Sequence, residues 1–159
     1  MKFSSRSPED TVRFGEVLGG FAASGDLFLL KGDLGSGKTS LTQGIVWGAG
    51  IDEYVRSPTF VLVSHYSGKI DVHHMDLYRL EMVGEFLELG LEEYFDGLGC
   101  CVIEWADKAA RHLPCEHLLV TLEYVGENER LVSVEGHGDR YIRILNGLQE
   151  YVDDHGTSH

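Results

Sequence analysis

Hydrophobic and polar positions alternate along this chain with helical spacing in some segments and as short apolar runs in others. Segment 7–21 opens with Ser-Pro-Glu-Asp, a typical helix N-terminus, and continues with apolar residues at helical spacing. The run Leu27–Leu30 is short, apolar and unalternating, which indicates a central strand covered on both faces. A second helix is expected over 38–47, since glycines follow at positions 48 and 50.

Two hairpins are expected further along the chain. Segments 60–66 and 69–75 read as strands joined at Ser67-Gly68, and segments 118–124 and 131–134 flank a polar turn that contains Gly126. The remaining elements are expected as helices over 81–95 and 140–151 and as a buried strand over 100–103. The pattern predicts one α/β domain over residues 1–159, with a mixed central sheet, flanking helices, antiparallel hairpins and frayed residues from about 152 onward.

The charge balance excludes some classes of partner. The 159 residues carry 13 Lys and Arg against 26 Asp and Glu, a formal net charge of −13. Such a chain lacks the basic surface with which a protein by itself grips nucleic acid or an anionic membrane. The three cysteines do not form a disulfide framework, the first residues do not resemble a signal peptide, and no apolar run approaches the ~20 residues of a membrane span. We therefore expect a cytoplasmic protein with no membrane association.

Residues 32–39 read Gly-Asp-Leu-Gly-Ser-Gly-Lys-Thr and match the phosphate-loop pattern G-x-x-x-x-G-K-[ST]. Glycines let successive backbone N–H groups point at one anion, and the N-terminus of the following helix adds positive charge. Lys38 is expected to reach the β- and γ-phosphates, and the Thr39 hydroxyl to ligate Mg²⁺. A glycine-rich turn that only caps a helix is the alternative, but the apolar strand before the loop favours a P-loop NTPase-like domain.

A phosphate loop needs a carboxylate at the end of a neighbouring strand to hold the magnesium. Glu104 follows the buried run 100–103, and Asp76 follows the predicted strand that ends at residue 75, so both are candidates. Segment 57–59, Ser-Pro-Thr, is either a mobile segment that offers a hydroxyl to the nucleotide or an ordinary proline turn. For Trp105, directly after Glu104, the sequence alone favours a core position.

Histidines near Asp76 offer a weaker signal for a separate metal site. His73 and His74 are adjacent on the predicted strand, so their side chains point to opposite faces of the sheet. The two imidazoles are therefore not expected to line one site.

Four motifs follow one another in order: residues 32–39, Ser-Pro-Thr-Phe at 57–60, His-Met-Asp-Leu-Tyr-Arg-Leu at 74–80, and Glu-Trp at 104–105. Together they resemble the bacterial TsaE (YjeE) family. This family is the small ATPase of the pathway that makes threonylcarbamoyladenosine in tRNAs reading codons that begin with A. The resemblance covers most of the chain, from the first helix to the second hairpin.

The resemblance implies roles for individual residues. It implies phosphate contacts from Leu34, Gly35, Ser36, Gly37, Lys38, Thr39 and Ser40. It also implies Mg²⁺ on Thr39 and Glu104, a second acid for hydrolysis at Asp76, a switch hydroxyl at Thr59 and a site role for Trp105. With Lys38, the last four of these residues would form the catalytic set.

The resemblance further implies how the rest of the nucleotide and the partners are bound. The adenine end would be held near residues 7–11 and by a basic residue of the late hairpin, for which Arg130 is the best match. The family role implies binding to a TsaB–TsaD heterodimer, with the tRNA held by the partners and ATP and ADP bound here. The expected activity is a slow, partner-stimulated, Mg²⁺-dependent ATPase.

Two other functions fit a phosphate loop. A small-molecule kinase would need an acceptor pocket and clustered arginines on a lid, whereas the arginines here are scattered along the chain. A guanine-nucleotide switch would carry an Asn-Lys-x-Asp motif for reading the base, which this sequence lacks. The ATPase is therefore the preferred interpretation, and the kinase is the alternative.

Overall fold

A computed structural model describes residues 1–56, 63–78, 90–95, 97–106 and 111–155. The strands are β1 (Lys2–Ser5), β2 (Leu27–Gly32), β3 (Val63–Tyr66), β4 (Val72–Asp76), β5 (Cys100–Glu104), β6 (His117–Tyr124) and β7 (Arg130–His137). The α-helices are α1 (Pro8–Gly20), α2 (Lys38–Gly48) and α3 (Asp139–His155), and a 3₁₀ helix covers Leu91–Tyr94. None of the helices within these ranges is long and apolar enough to cross a membrane.

The strands form one mixed sheet in the order β1-β7-β6-β2-β5-β4-β3. Its centre is parallel, because β2 pairs with both β5 and β6, and β4 pairs with β5. Both margins are antiparallel: β6, β7 and β1 on one side, β3 against β4 on the other. Parallel strands end at one edge of a sheet, so β2, β4 and β5 bring the phosphate loop and both candidate acids to the same edge. The predicted mixed α/β fold is confirmed.

The central strand β2 is covered on both faces, as its unalternating sequence predicts. Phe28 and Leu30 are completely buried in the larger apolar cluster, to which all three described α-helices contribute. Leu27 and Leu29 point the other way, into a smaller cluster with Met75 and other residues. The loop after β2 is therefore mounted on the most enclosed strand of the sheet.

Helices α1 and α2 pack with their backbones in direct contact. A Cβ atom at Gly44 would lie 2.1 Å from the Val12 carbonyl oxygen, and one at Gly19 would lie 2.2 Å from the carbonyl oxygen of Ile45. Real Cβ atoms are not found this close to other atoms, so only glycine fits at these positions. The close approach fixes the first turn of α1 beside the first turn of α2.

The start of β2 is anchored by α3. The Leu27 N–H donates to the Tyr141 hydroxyl at 2.9 Å. Arg140 donates to both oxygens of the buried Asp26 carboxylate, from Nε at 3.1 Å and from Nη2 at 2.9 Å. These hydrogen bonds from the guanidinium to Asp26 raise the pKa of Arg140 above its ordinary value.

Several predicted elements are confirmed with small changes in their bounds. Helix α1 begins at Pro8, and the Ser7 Oγ accepts a hydrogen bond from the Asp10 N–H at 3.1 Å, as the N-terminal signal predicts. The second hairpin, the buried strand before Glu104 and helix α2 also occur where expected. Helix α3 extends to His155, four residues beyond its predicted end.

Other expectations are corrected. The first hairpin forms, but β4 begins at Val72 instead of residue 69, so five residues and not a Ser-Gly turn connect the strands. Of the helix predicted over 81–95, the described residues form only a short 3₁₀ helix, and residues 81–89 lie outside the described ranges. Strand β1 was not expected: its four residues pair with β7, more than 120 positions away, and local sequence does not reveal such pairing.

Candidate active site

The loop between β2 and α2 has a backbone that requires glycine at two positions. Gly35 and Gly37 have φ angles of 79° and 107°, in the left-handed region that side chains disfavour. The Ser36 N–H donates to the Asp33 carbonyl oxygen at 3.0 Å and closes the turn. The glycines of the sequence motif therefore set the shape of the loop.

The N-terminus of α2 differs from that of α1 in a way that favours anion binding. Helix α1 is capped by the Ser7 side chain and carries Glu9 and Asp10 in its first turn. Helix α2 starts from Gly37 with no side-chain cap and no acidic residue in its first turn. The first N–H groups of a helix lack intrahelical partners and carry partial positive charge. The start of α2 is thus a polar, electropositive end in an acidic protein.

Lys38 lies inside this loop and is almost completely buried. Its Nζ donates to the carbonyl oxygens of Gly32 at 2.6 Å and Asp33 at 3.0 Å. The same ammonium lies 4.2 Å from the centre of the Trp105 ring, a cation–π distance. The predicted phosphate-binding lysine is therefore held against the start of the loop by backbone oxygens and an indole face.

The inside of the loop also contains a polar atom with unused hydrogen-bonding capacity. The Ser36 Oγ is buried and has no hydrogen-bond partner among the described residues. Buried hydroxyls are nearly always paired, so an oxygen-rich ligand in the loop is a fitting partner. Together with the uncapped α2, this unpaired hydroxyl gives the loop several polar groups of the kind that hydrogen-bond to anions.

The two candidate acids are neighbours. Asp76 is in register with Glu104 across the parallel β4–β5 pair, and Glu104 is in register with Leu30 on β2. Glu104 is 3% exposed, whereas Asp76 is partly exposed and its Oδ1 accepts a hydrogen bond from the Tyr78 N–H at 2.9 Å. The structure therefore places both predicted acids on the edge where the phosphate loop begins.

Trp105 has an unusual backbone conformation. Its φ angle is 58°, and it is the only non-glycine residue with positive φ in the described part of the chain. Left-handed backbone is costly for a bulky residue and is found where the surroundings enforce it, often in functional sites. The turn directs the half-buried indole towards Lys38 and places it 4.9 Å from the Tyr78 ring. Trp105 thus lies against the predicted phosphate-binding lysine while also packing on the smaller apolar cluster.

A pocket opens between the starts of α1 and α2 and the second hairpin. It is lined by Ser7, Pro8, Thr11, Gly35, Ser36, Gly37, Ser40, Asn128 and Arg130. The regions expected at the adenine end of the nucleotide, residues 7–11 and Arg130, are therefore brought together beside the phosphate loop.

The Arg130 side chain holds the loop by hydrogen bonding to backbone oxygens. Its Nε donates to the Ser36 carbonyl oxygen at 3.0 Å, and its Nη1 donates to carbonyl oxygens of the hairpin turn. The guanidinium also lies 4.1 Å from the centre of the Tyr124 ring, whose hydroxyl donates to the Leu34 carbonyl oxygen at 3.0 Å. Bonds that engage loop carbonyls help to fix the orientation of the peptide groups. Sequence reasoning did not identify the contribution of Tyr124.

Comparison with known proteins is consistent with this geometry. A family model described as Threonylcarbamoyl adenosine biosynthesis protein TsaE matches residues 5–132. The chain belongs to the TsaE family. The family resemblance drawn from the four motifs is thereby confirmed.

Individual TsaE relatives cover most of the chain. The tRNA threonylcarbamoyladenosine biosynthesis protein TsaE of Bacillus subtilis is 38% identical over 152 residues, which are 95% of each protein. The protein of the same name from Treponema pallidum is 38% identical over 134 residues, 84% of this chain and 99% of its own length. The crystal structure of Bacillus subtilis YdiB superimposes with a TM-score of 0.83 at 35% identity, over 95% of each chain.

The remaining predicted TsaE site residues differ in exposure, and one of them lies outside the described residues. Thr39 and Leu34 are exposed and Ser40 is partly exposed, all at the loop and the first turn of α2. Thr59, the expected switch hydroxyl, lies outside the described residues together with the rest of segment 57–62. Nucleotide contacts, metal ligation and catalysis by these residues stay predictions.

Proposed function

We propose that this TsaE-family chain is a Mg²⁺-dependent ATPase that supports threonylcarbamoyladenosine formation in tRNA. One arrangement carries the proposal: an uncapped helix N-terminus with a glycine loop and a buried lysine, next to two acids in register on adjacent strands. This is the set of groups that phosphoryl transfer to water needs, since catalysis there rests on positioning and charge stabilisation. The names of the relatives support the pathway.

The loop and the neighbouring pocket would bind ATP. Backbone N–H groups from Leu34 to Ser40 would donate to the phosphate oxygens, and Lys38 would turn from the loop carbonyls to the β- and γ-phosphates. The pocket between the starts of α1 and α2 would take the nucleoside. Arg130 would contribute chiefly by bracing the loop, because its hydrogen bonds go to backbone oxygens.

Thr39 and Glu104 would hold Mg²⁺, since a hydroxyl and a carboxylate are oxygen ligands of the kind this ion prefers. When bound, the ion supplies neutralisation of the charge on the phosphate oxygens. Asp76, partly exposed beside Glu104, would accept a hydrogen bond from the attacking water and orient it. Trp105 would cover Lys38 and keep bulk water from its ammonium.

The chain would act with the TsaB–TsaD heterodimer in the cytoplasm. A net charge of −13 disfavours direct contact with tRNA, so the partners would hold the tRNA and this chain would supply ATP hydrolysis. Slow hydrolysis by the isolated chain, accelerated by the partners, is the expected behaviour.

Three measurements test this proposal. Fluorescent ATP and GTP should reveal a preference for ATP, and phosphate release should require Mg²⁺ and rise when TsaB and TsaD are added. A pull-down should recover the chain with TsaB–TsaD in the presence of ATP. Transfer of the γ-phosphate to a metabolite, faster than its release to water, would instead establish the small-molecule kinase.

Lys38→Ala should weaken ATP binding by about 10-fold or more, because a hydrogen bond to a charged group contributes about 1.5–3 kcal/mol. Lys69→Ala removes an exposed lysine on the turn after β3 and is the matched control. Isothermal titration calorimetry gives both dissociation constants. Equal constants for the two variants would contradict the assignment of the loop as the phosphate site.

A further inference from the structure

We propose that His74 is a positioning residue for the magnesium site: it holds the Glu104 carboxylate in the orientation from which that carboxylate ligates Mg²⁺. The inference rests on the proposed function, because it takes Glu104 as a metal ligand. It adds a residue that acts on the site through another side chain.

His74 and Glu104 form a buried pair. The His74 Nε2 lies 2.5 Å from the Glu104 Oε2, and the two side chains are 0% and 4% exposed. Burying a carboxylate oxygen without a hydrogen-bond partner is costly, so this contact satisfies the Glu104 Oε2 and fixes its position. Among the described residues, no other hydrogen bond to the Glu104 side chain is found.

The register of the sheet explains why the pair forms. His74 lies opposite Val102 on β5, and Asp76 lies opposite Glu104. Side chains two positions apart on a strand share a face, so His74, Asp76 and Glu104 are on the same face of the β4–β5 pair. His74 thus lies two residues further along β4 from the loop edge than Asp76 does.

The surroundings of the imidazole determine which nitrogen carries the proton. The His74 Nδ1 is buried and has no partner among the described residues. With the proton on Nε2, the ring donates to the carboxylate and leaves only an acceptor unpaired at Nδ1. With the proton on Nδ1 alone, a lone pair would face the carboxylate and a buried N–H would be orphaned. We therefore assign the proton to Nε2, with His74 as the donor.

A donor bound to one oxygen limits rotation of the carboxylate. With the Glu104 Oε2 engaged by His74, the second oxygen is the one left to face a cation. Hydrogen bonds that orient a metal ligand commonly change metal affinity by about 10–100-fold when they are removed.

His73 provides a matched control on the same strand. It is also buried, but its side chain points to the opposite face, where Nε2 lies 3.0 Å from the Leu98 carbonyl oxygen and the ring stacks on His65. His73→Phe removes a buried imidazole from β4 without touching Glu104.

The test measures how much Mg²⁺ strengthens ATP binding. Calorimetry gives the ATP dissociation constant in EDTA and in Mg²⁺, and the ratio of the two reports metal ligation without reference to turnover. His74→Phe, which keeps a ring and loses the donor, should reduce the ratio by about 10-fold or more and leave the EDTA constant unchanged. His74→Gln, whose amide nitrogen can replace Nε2, should keep the ratio within about threefold of the wild-type value. His73→Phe should leave it unchanged.

A loss of stability alone would weaken ATP binding in EDTA and in Mg²⁺ by the same factor and leave the ratio unchanged, and that result would overturn the proposal. Thermal unfolding of each variant checks the fold. If His74→Phe does not fold, His74→Asn takes its place, because the shorter side chain does not reach Glu104. Equal ratios of the EDTA and Mg²⁺ dissociation constants for His74→Asn and His74→Gln would also overturn the proposal.

Glu104→Gln separates failure of this inference from failure of the proposed function. If Glu104→Gln keeps the full ratio, Glu104 is not the metal ligand and the proposed function needs a different acid. If Glu104→Gln loses the ratio while His74→Phe keeps it, only the role of His74 is wrong. The expected result is that His74→Phe and Glu104→Gln each lower the ratio of the ATP dissociation constants in EDTA and in Mg²⁺. The double variant should lower this ratio no further than Glu104→Gln does alone.

Discussion

The backbone contact between α1 and α2 makes Gly44→Ala a sharp test of the packing. The added Cβ would lie 2.1 Å from the Val12 carbonyl oxygen and 2.8 Å from the Gly15 Cα. Both are backbone atoms, so no side chain can turn away to relieve the overlap. Ordinary contact begins at 3.4 Å, so the helices would have to separate by about 1.3 Å, the difference between 3.4 and 2.1 Å.

Two opposing effects set the magnitude. Replacing glycine by alanine inside a helix favours the helix by about 1 kcal/mol. Overpacking a well-packed interior costs about 1–3 kcal/mol, and a clash against backbone belongs at the upper end. The clash therefore wins, with an expected net loss of about 2 kcal/mol. For a domain of this size, about 1 kcal/mol shifts the melting temperature by about 2–4 °C, so a fall of about 4–8 °C is expected.

Scanning calorimetry measures the change, and Gly20→Ala is the matched control. Gly20 is in α1, and a Cβ there would meet no atom within 4 Å. Its substitution should leave stability unchanged or slightly higher. Because Thr11 on α1 and Ser40 on α2 line the same pocket, Gly44→Ala should also weaken ATP binding. Equal melting temperatures and equal ATP affinities for the two variants would refute the inferred backbone contact.

Three further outcomes are expected. Nucleotide binding should change tryptophan fluorescence because Trp105 lies against the phosphate-loop lysine; the signal should vanish in Trp105→Phe and persist when the chain's other tryptophan is replaced. Arg140→Met should lower the free energy of unfolding in urea by about 1.5–3 kcal/mol, since the buried Asp26 carboxylate keeps only the Ala23 N–H as a donor among the described residues, and Asp26→Leu in the same chain should restore part of the loss. At pH 8, a thiol reagent should react quickly with the exposed Cys115 alone and with all three cysteines after unfolding, because burial raises the pKa of Cys101 to about 12.

The positions of the candidate site residues in the fold were largely predictable because these residues lie in short contiguous stretches of sequence. The loop motif predicts an anion site from eight consecutive residues, and an acid after a buried strand predicts a place on the same edge. Asp76 and Glu104 are 28 residues apart in sequence, yet parallel strands bring them into register. Local patterns sufficed here because strand ends converge by topology.

Other features depend on distant pairing and were missed. The sequence places His74 only beside His73, and the contact of His74 with Glu104 depends on the register of β4 against β5. The small residues of the α1–α2 contact do carry a signal, because Gly44 and Gly48 are four positions apart on one helix, a spacing that permits close helix packing. Strand β1 has only four residues, too few to reveal an alternation.

The anchoring of β2 by α3 has a consequence for where the folding unit ends. The family match stops at residue 132, inside β7 and before the first residue of α3. A chain shortened to that point would lose Arg140 and Tyr141, and with them the groups that hold Asp26 and Leu27 at the start of the strand that carries the phosphate loop. The segment that the family model matches is thus smaller than the segment that folds as one unit, which includes the part of α3 that carries Arg140 and Tyr141.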